Sequence, residues 1–179
     1  NKQISKLLYG DENADPANFT GDTRLVRDII LKYLLRGVMR YDEEECQNYT
    51  IIDLEKTVSY RYPISNNRFV SLEGRADRID MLDDGTLQVI DYKSGNNEHI
   101  KFNNIHSLFH GKAQERIDNI FQTLLYSVIL FHGRGKDVVP SLYFALKMIN
   151  KGYNPNIRYM NGDGQETILE RYSSVAEEF

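Results

Sequence analysis

Three features of the sequence point to a mixed α/β domain, with a central sheet that is partly antiparallel and flanked by helices. The first is the run from Ile117 to Phe131, where Ile117, Ile120, Phe121, Leu124, Leu125, Val128 and Ile129 form one broad apolar face at helical spacing. The second is a pair of strand-like segments, Arg68 to Leu82 and Thr86 to Lys93, on either side of an Asp-Asp-Gly turn. The third is their order along the chain: helix, three strands, helix, strand. Strands that follow one another through tight turns meander, so part of the sheet must be antiparallel. A length of 179 residues suits one domain with a proper core, spanning residues 1–179.

The remaining elements follow in order. Residues 10–21 are rich in Gly, Asp, Asn and Pro and read as a loop. From Asp22 to Arg40 the positions Leu25, Ile29, Leu31, Leu34, Leu35 and Val38 recur at helical spacing, with Asp22 or Thr23 as the cap, so this helix is expected to lie on the sheet. β-Branched and aromatic residues between Thr50 and Tyr60 predict a strand. Residues 94–114 are polar and show no clear period. Val138 to Met148 is apolar and aromatic after a Gly-Arg-Gly-Lys turn and predicts a buried strand. Ser173 to Phe179 reads as a cap and the first turn of a helix, as in a domain cut from a longer chain.

Composition excludes several classes. The hydrophobic and charged fractions, 41% and 27%, are those of an ordinary globular protein, and no apolar run approaches the ~20 residues of a membrane helix. Cys46 is the only cysteine, which rules out an internal disulfide and any iron–sulfur cluster or cysteine zinc site built from this chain alone. A reducing, cytoplasmic location is the natural expectation. A net charge of −4 argues against coating nucleic acid by charge alone, yet it suits an enzyme that meets DNA through bound cations.

The chemistry concentrates in Gly74-Arg75-Ala76-Asp77-Arg78-Ile79-Asp80 and Val89-Ile90-Asp91-Tyr92-Lys93. Asp91 and Lys93 are two apart on a strand and share a face. The turn decides which carboxylate joins them. A two-residue loop at Asp84-Gly85 would set Asp77 across from Tyr92. A three-residue loop, Asp83-Asp84-Gly85 with Gly85 left-handed, pairs Leu82 with Thr86 and sets Asp77 across from Asp91. The second register aligns Met81 with Leu87 and Ile79 with Val89, then Asp77 with Asp91 and Arg75 with Lys93. The first mixes the apolar set with Asp80, Arg78 and Gln88 and buries poorly, so the three-residue loop wins. Opposed carboxylates repel, and a divalent cation relieves them; few, hard oxygen ligands suit Mg²⁺. A lysine beside such a site can orient water or stabilise charge on a phosphate oxygen.

These segments resemble the core of the PD-(D/E)xK nucleases, which have a restriction-endonuclease-like fold, and in particular the RecB/AddB-like branch. Gly-x-x-Asp-Arg-Ile-Asp and Asp-Tyr-Lys-Ser-Gly are similar to that branch's two central motifs, and Gln122 with Tyr126 matches its Gln-x-x-x-Tyr. The resemblance spans roughly residues 50–148. It implies that Asp77, Asp91 and the backbone carbonyl of Tyr92 bind Mg²⁺ or Mn²⁺, and that Lys93 assists the attacking water. It further implies that Gln122 and Tyr126 line a DNA path and that Glu55 is an accessory acid. The implied protein is a deoxyribonuclease, of the exonuclease type found with helicase domains in DNA recombination and repair. Active members usually carry a histidine on an early helix, whereas the first here is His99. Some relatives also hold a four-cysteine iron–sulfur cluster, which this chain cannot build.

Other features are weaker. His106 and His110 are four apart, but no third ligand accompanies them, so surface histidines are expected. Gly133 to Lys136 lacks the spacing of a phosphate-gripping loop and follows a helix, so a plain tight turn is expected. Two rivals stand beside the nuclease: a degenerate copy that binds DNA or a partner subunit without cutting, and a purely structural domain. An opposed carboxylate pair kept beside a lysine disfavours both.

Overall fold

In a computed structural model of the chain, the described residues are 2–13, 15, 20–44, 48–65, 67–95, 100–109 and 118–179. Helix α1 spans Lys2–Tyr9 and α2 spans Gly21–Tyr33. The helix then widens into a π-helical stretch, Leu34–Met39, and continues as α3, Arg40–Glu44. Strands β1 (Tyr49–Ser65), β2 (Arg68–Leu82) and β3 (Leu87–Lys93) follow. After β4 (Lys101–Phe102) and α4 (Ile105–Phe109) comes α5, Asp118–Arg134. Strands β5 (Val138–Phe144), β6 (Arg158–Met160) and β7 (Glu166–Ile168) complete the order, with a 3₁₀ turn at Tyr172–Ser174.

The main sheet runs β1-β2-β3-β5. β1–β2 and β2–β3 are antiparallel and β3–β5 is parallel, so the sheet is mixed as the element order required. Residues between β3 and β5 include α5, whose length lets the chain return for a parallel pairing. A smaller sheet, β4-β6-β7, was not anticipated. Its strands are two or three residues long, too short to show a period of two.

Helix α5 covers one face of the main sheet. Ile120, Leu124, Val128, Ile129 and Leu130 enter the same core as Ile79, Leu87, Val89, Leu142 and Phe144. Burial reaches around the helix, and its hidden hydroxyls are satisfied locally. Thr123 Oγ1 donates to the Asn119 carbonyl at 2.9 Å, and Ser127 Oγ to the Thr123 carbonyl at 3.0 Å. The opposite sheet face carries a smaller cluster of Tyr41, Ile90, Tyr143 and Met148. None of the described helices is long and apolar enough to cross a membrane.

The early helix departs from expectation. Thr20 stands at its N-cap without a side-chain cap, in place of Asp22 or Thr23. No residue of α2 is buried: Leu25 is 59% exposed and Ile29 is also exposed, as are Leu34 and Leu35 at the start of the π-helical stretch. Only the later part is seated. Gly37 is buried, since a Cβ there would lie 3.3 Å from the Ala145 carbonyl oxygen, and Tyr41 stacks edge-on to Tyr143. Ser173 to Phe179 forms a 3₁₀ turn followed by tight turns, not a first α-helical turn.

Candidate active site

The β2–β3 hairpin closes through a three-residue loop. Leu82 N–H donates to the Thr86 carbonyl at 2.9 Å, Gly85 N–H donates to the Leu82 carbonyl at 2.9 Å, and Gly85 has φ +81°. A left-handed residue is needed there, and glycine takes that conformation without strain. Asp84 fixes the corner by accepting from Thr86 N–H at 2.8 Å and pairing with Arg171 at 2.7 Å. The resulting register sets Met81 opposite Leu87 and Ile79 opposite Val89, as the apolar pattern required.

Beyond that point the strands part. The β2–β3 ladder ends at Arg78 and Ile90, and the β1–β2 ladder pairs Leu54 with Arg78 and Lys56 with Ala76 but skips Asp77. Glu55, which would face Asp77, has φ +50°, an unusual value for a residue with a Cβ. Asp77 thus sits where both neighbouring strands release it. Its carboxylate fills the opening, accepting the Tyr92 N–H at 2.8 Å. In a strand the N–H and C=O of one residue face the same edge, so the Tyr92 carbonyl lies along this opening too. Of the expected pairs, neither Asp77–Asp91 nor Arg75–Lys93 forms in the ladder. Splaying carries Arg75 away to Glu55, 3.0 Å from its carboxylate.

Lys93 turns instead toward Asp91 and α5. Its Nζ lies 2.6 Å from Asp91 Oδ2 and donates to Gln122 Oε1 at 3.1 Å. Gln122 Nε2 in turn donates to the Tyr126 hydroxyl at 2.6 Å. Tyr126 fits because residue 74 has no side chain: a Cβ on Gly74 would meet Tyr126 Cε1 at 2.3 Å. Asp91, Lys93, Gln122 and Tyr126 therefore form one connected chain. Glu55 does not join it; its carboxylate is exposed and taken by Arg75.

Asp91 is 3% exposed. Burial pushes its carboxyl above the usual carboxylate range; Lys93 opposes the rise and the charge of Asp77 adds to it. Its Oδ2 has no aligned hydrogen bond, only the charge contact with Lys93. A buried carboxylate whose Oδ2 has only Lys93 for a partner, a second carboxylate close enough to repel it and a carbonyl on the same opening suit a small divalent cation. The donor set holds two carboxylates; among the described residues no group of three or more His, Cys, Asp or Glu is placed to hold a metal.

A second group of charges was missed. Arg78 and Asp80, expected to be poor candidates for burial, are 3% and 1% exposed on the other face of the sheet, with Asp42 of α3 beside them. Opposite charges two apart on a strand were the available signal. The weaker candidates add little. Arg134 pairs with Asp53 at 2.5 Å and Lys136 donates to the Gly85 carbonyl at 3.1 Å, so the glycine-flanked turn is occupied structurally. His106 is exposed on α4, and His110 lies outside the described residues.

No curated protein matches the chain. A family model does: that of the PD-(D/E)XK nuclease superfamily, over residues 4–179. That span includes the split hairpin, the Asp77–Asp91–Lys93 group and α5, and the mixed sheet with flanking helices is consistent with the superfamily's restriction-endonuclease-like fold. The chain belongs to the PD-(D/E)XK nuclease superfamily.

Proposed function

We propose that this chain is a metal-dependent deoxyribonuclease of the RecB/AddB-like branch, acting beside helicase domains in DNA recombination or repair. The observation that carries the reading is Asp91: buried, crowded by Asp77, and partnered on Oδ2 by Lys93 alone. Membership of the superfamily supports hydrolysis of a nucleic-acid phosphodiester. The three motifs in order support the branch, DNA as substrate, and the helicase setting.

Asp77, Asp91 and the Tyr92 carbonyl would hold Mg²⁺ or Mn²⁺. When bound, the ion supplies positive charge that acidifies a water and offsets the phosphate. In hydrolysis the water oxygen bonds to phosphorus, the bond to the leaving oxygen breaks, and that oxygen gains a proton. Lys93 serves by donating hydrogen bonds: it orients the water and meets charge growing on a non-bridging oxygen. Its contact with Gln122 ties that ammonium to the helix lining the strand path. Tyr126 is buried at 5% exposure, so its hydroxyl acts from beneath, accepting from Gln122 and holding that amide against Lys93 beside the strand path.

Labelled single- and double-stranded DNA, with an RNA of the same sequence, test this. Cleavage of DNA is expected with millimolar Mg²⁺ or Mn²⁺ and none with EDTA. Binding of DNA without cleavage under every metal condition would favour the degenerate module instead.

A further inference from the structure

The face of the sheet turned away from Asp91 and Lys93 holds a charged cluster with no place in the chemistry above. Arg78 Nε donates to Asp80 Oδ1 at 2.8 Å, and Nη1 donates to Asp42 Oδ2 at 2.6 Å and to the Tyr92 hydroxyl at 3.2 Å. The guanidinium also lies 4.8 Å from the Tyr49 ring centre. Arg78 Nη2 lies 2.7 Å from Asp80 Oδ2, completing a two-pronged ion pair, while Asp42 Oδ1 is buried without a hydrogen bond. Apolar residues of similar volume often serve a fold as well as such a buried ionic group, or better. What an apolar residue could not do here is hold the Tyr92 hydroxyl.

Tyr92 is where the two faces meet. Its N–H is the hydrogen-bond donor to Asp77, and its carbonyl is the third oxygen of the proposed metal site. The β2–β3 ladder has already ended at Arg78 and Ile90, so no β2 backbone group holds this peptide on that edge. Its ring is anchored instead, edge-on to Tyr143 at 5.5 Å and by its hydroxyl to Arg78. We propose that Arg78, clamped between Asp80 and Asp42, is a positioning residue for hydrolysis. By holding the Tyr92 hydroxyl it fixes the Tyr92 peptide, and through it the Asp77 carboxylate and the carbonyl offered to the metal. Asp42 lies on α3, just past the π-helical stretch, so correct seating of that helix becomes a condition for an assembled site. This inference rests on the nuclease reading.

The test compares the wild-type chain with Tyr92→Phe, which removes only the hydroxyl, and with Arg78→Lys. Three readouts are taken: Tyr92 amide exchange in the metal-free protein, kcat and KM for DNA in Mg²⁺, and Tm. Tyr92→Phe should stay folded, with Tyr92 exchange roughly tenfold faster while that of Val89 is unchanged, and kcat roughly tenfold lower at constant KM. Arg78→Lys should shift both in the same direction. Unchanged Tyr92 exchange alongside full kcat, or activity lost only in step with the unfolded fraction, would overturn the positioning role. If the wild type fails to cut, the hydrolase reading falls; faster Tyr92 exchange in Tyr92→Phe would still sustain the anchoring of the peptide by Arg78.

Discussion

Lys93→Ala should lower kcat for DNA cleavage by roughly a hundred- to a thousandfold, with metal affinity changed only a few-fold. The ammonium is 2.6 Å from Asp91 and 3.1 Å from Gln122, yet lysine carries no lone pair for a cation while protonated. On the proposed reading its contribution is made to the water and to the charge that develops on phosphate, and is strongest in the transition state. Lys93→Arg keeps the charge but swaps a compact ammonium for a planar fork, so it should recover little. Single-turnover cleavage with saturating Mn²⁺ separates these effects, because binding of metal and DNA is then complete in every protein. A Lys93→Ala protein that cuts at the wild-type rate would remove lysine from the chemistry.

Asp91→Asn should abolish cleavage and weaken Mn²⁺ binding sharply, yet raise the stability of the metal-free protein by about 1 kcal/mol, or ~2–4 °C in Tm. Burial, helped by Asp77, holds the Asp91 carboxyl above the usual carboxylate range in the folded chain. A raised folded-state value means that the folded protein grips the proton more tightly than the unfolded chain does. The associated stability is full at low pH and is lost as pH rises from the ordinary carboxylate value through the raised one. Metal-free wild type should lose stability across that window relative to Asp91→Asn, and Mn²⁺ should restore it by binding only the native state. Thermal melts from pH 3 to 8, with and without Mn²⁺, measure both; equal pH profiles for the two proteins would show that Asp91 is not under strain.

What could be read in the sequence was what rests on short-range chemistry. Gly85 dictated the loop, the period of two dictated the face, and together they set Met81 against Leu87 and Ile79 against Val89. Four-residue spacing put Gln122 and Tyr126 together, and the structure adds the Lys93 contact that joins them to Asp91. What failed depended on tertiary context. The stripe of Leu25, Ile29 and Leu35 reveals an apolar helix face but not whether anything covers it, and in this chain it stays exposed. Arg78 and Asp80 looked like solvent residues because burial of a charge depends on a partner distant in sequence, and Asp42 is 36 residues away. The parting of β2 from β3 at Asp77 was likewise invisible, since the alternation of residue types continues through it. It is nevertheless what makes the site: a regular ladder would have spent the Tyr92 N–H on β2 backbone and left Asp77 without a role there.

A Mn²⁺-soaked crystal of the wild-type chain, read by anomalous scattering, tests the metal site most directly. The expected result is a peak within about 2.0–2.3 Å of oxygens from Asp77, Asp91 and the Tyr92 carbonyl, absent from Asp91→Asn crystals treated alike. A peak elsewhere, or none between these three groups at millimolar Mn²⁺, would contradict the assignment of this split hairpin as the catalytic centre.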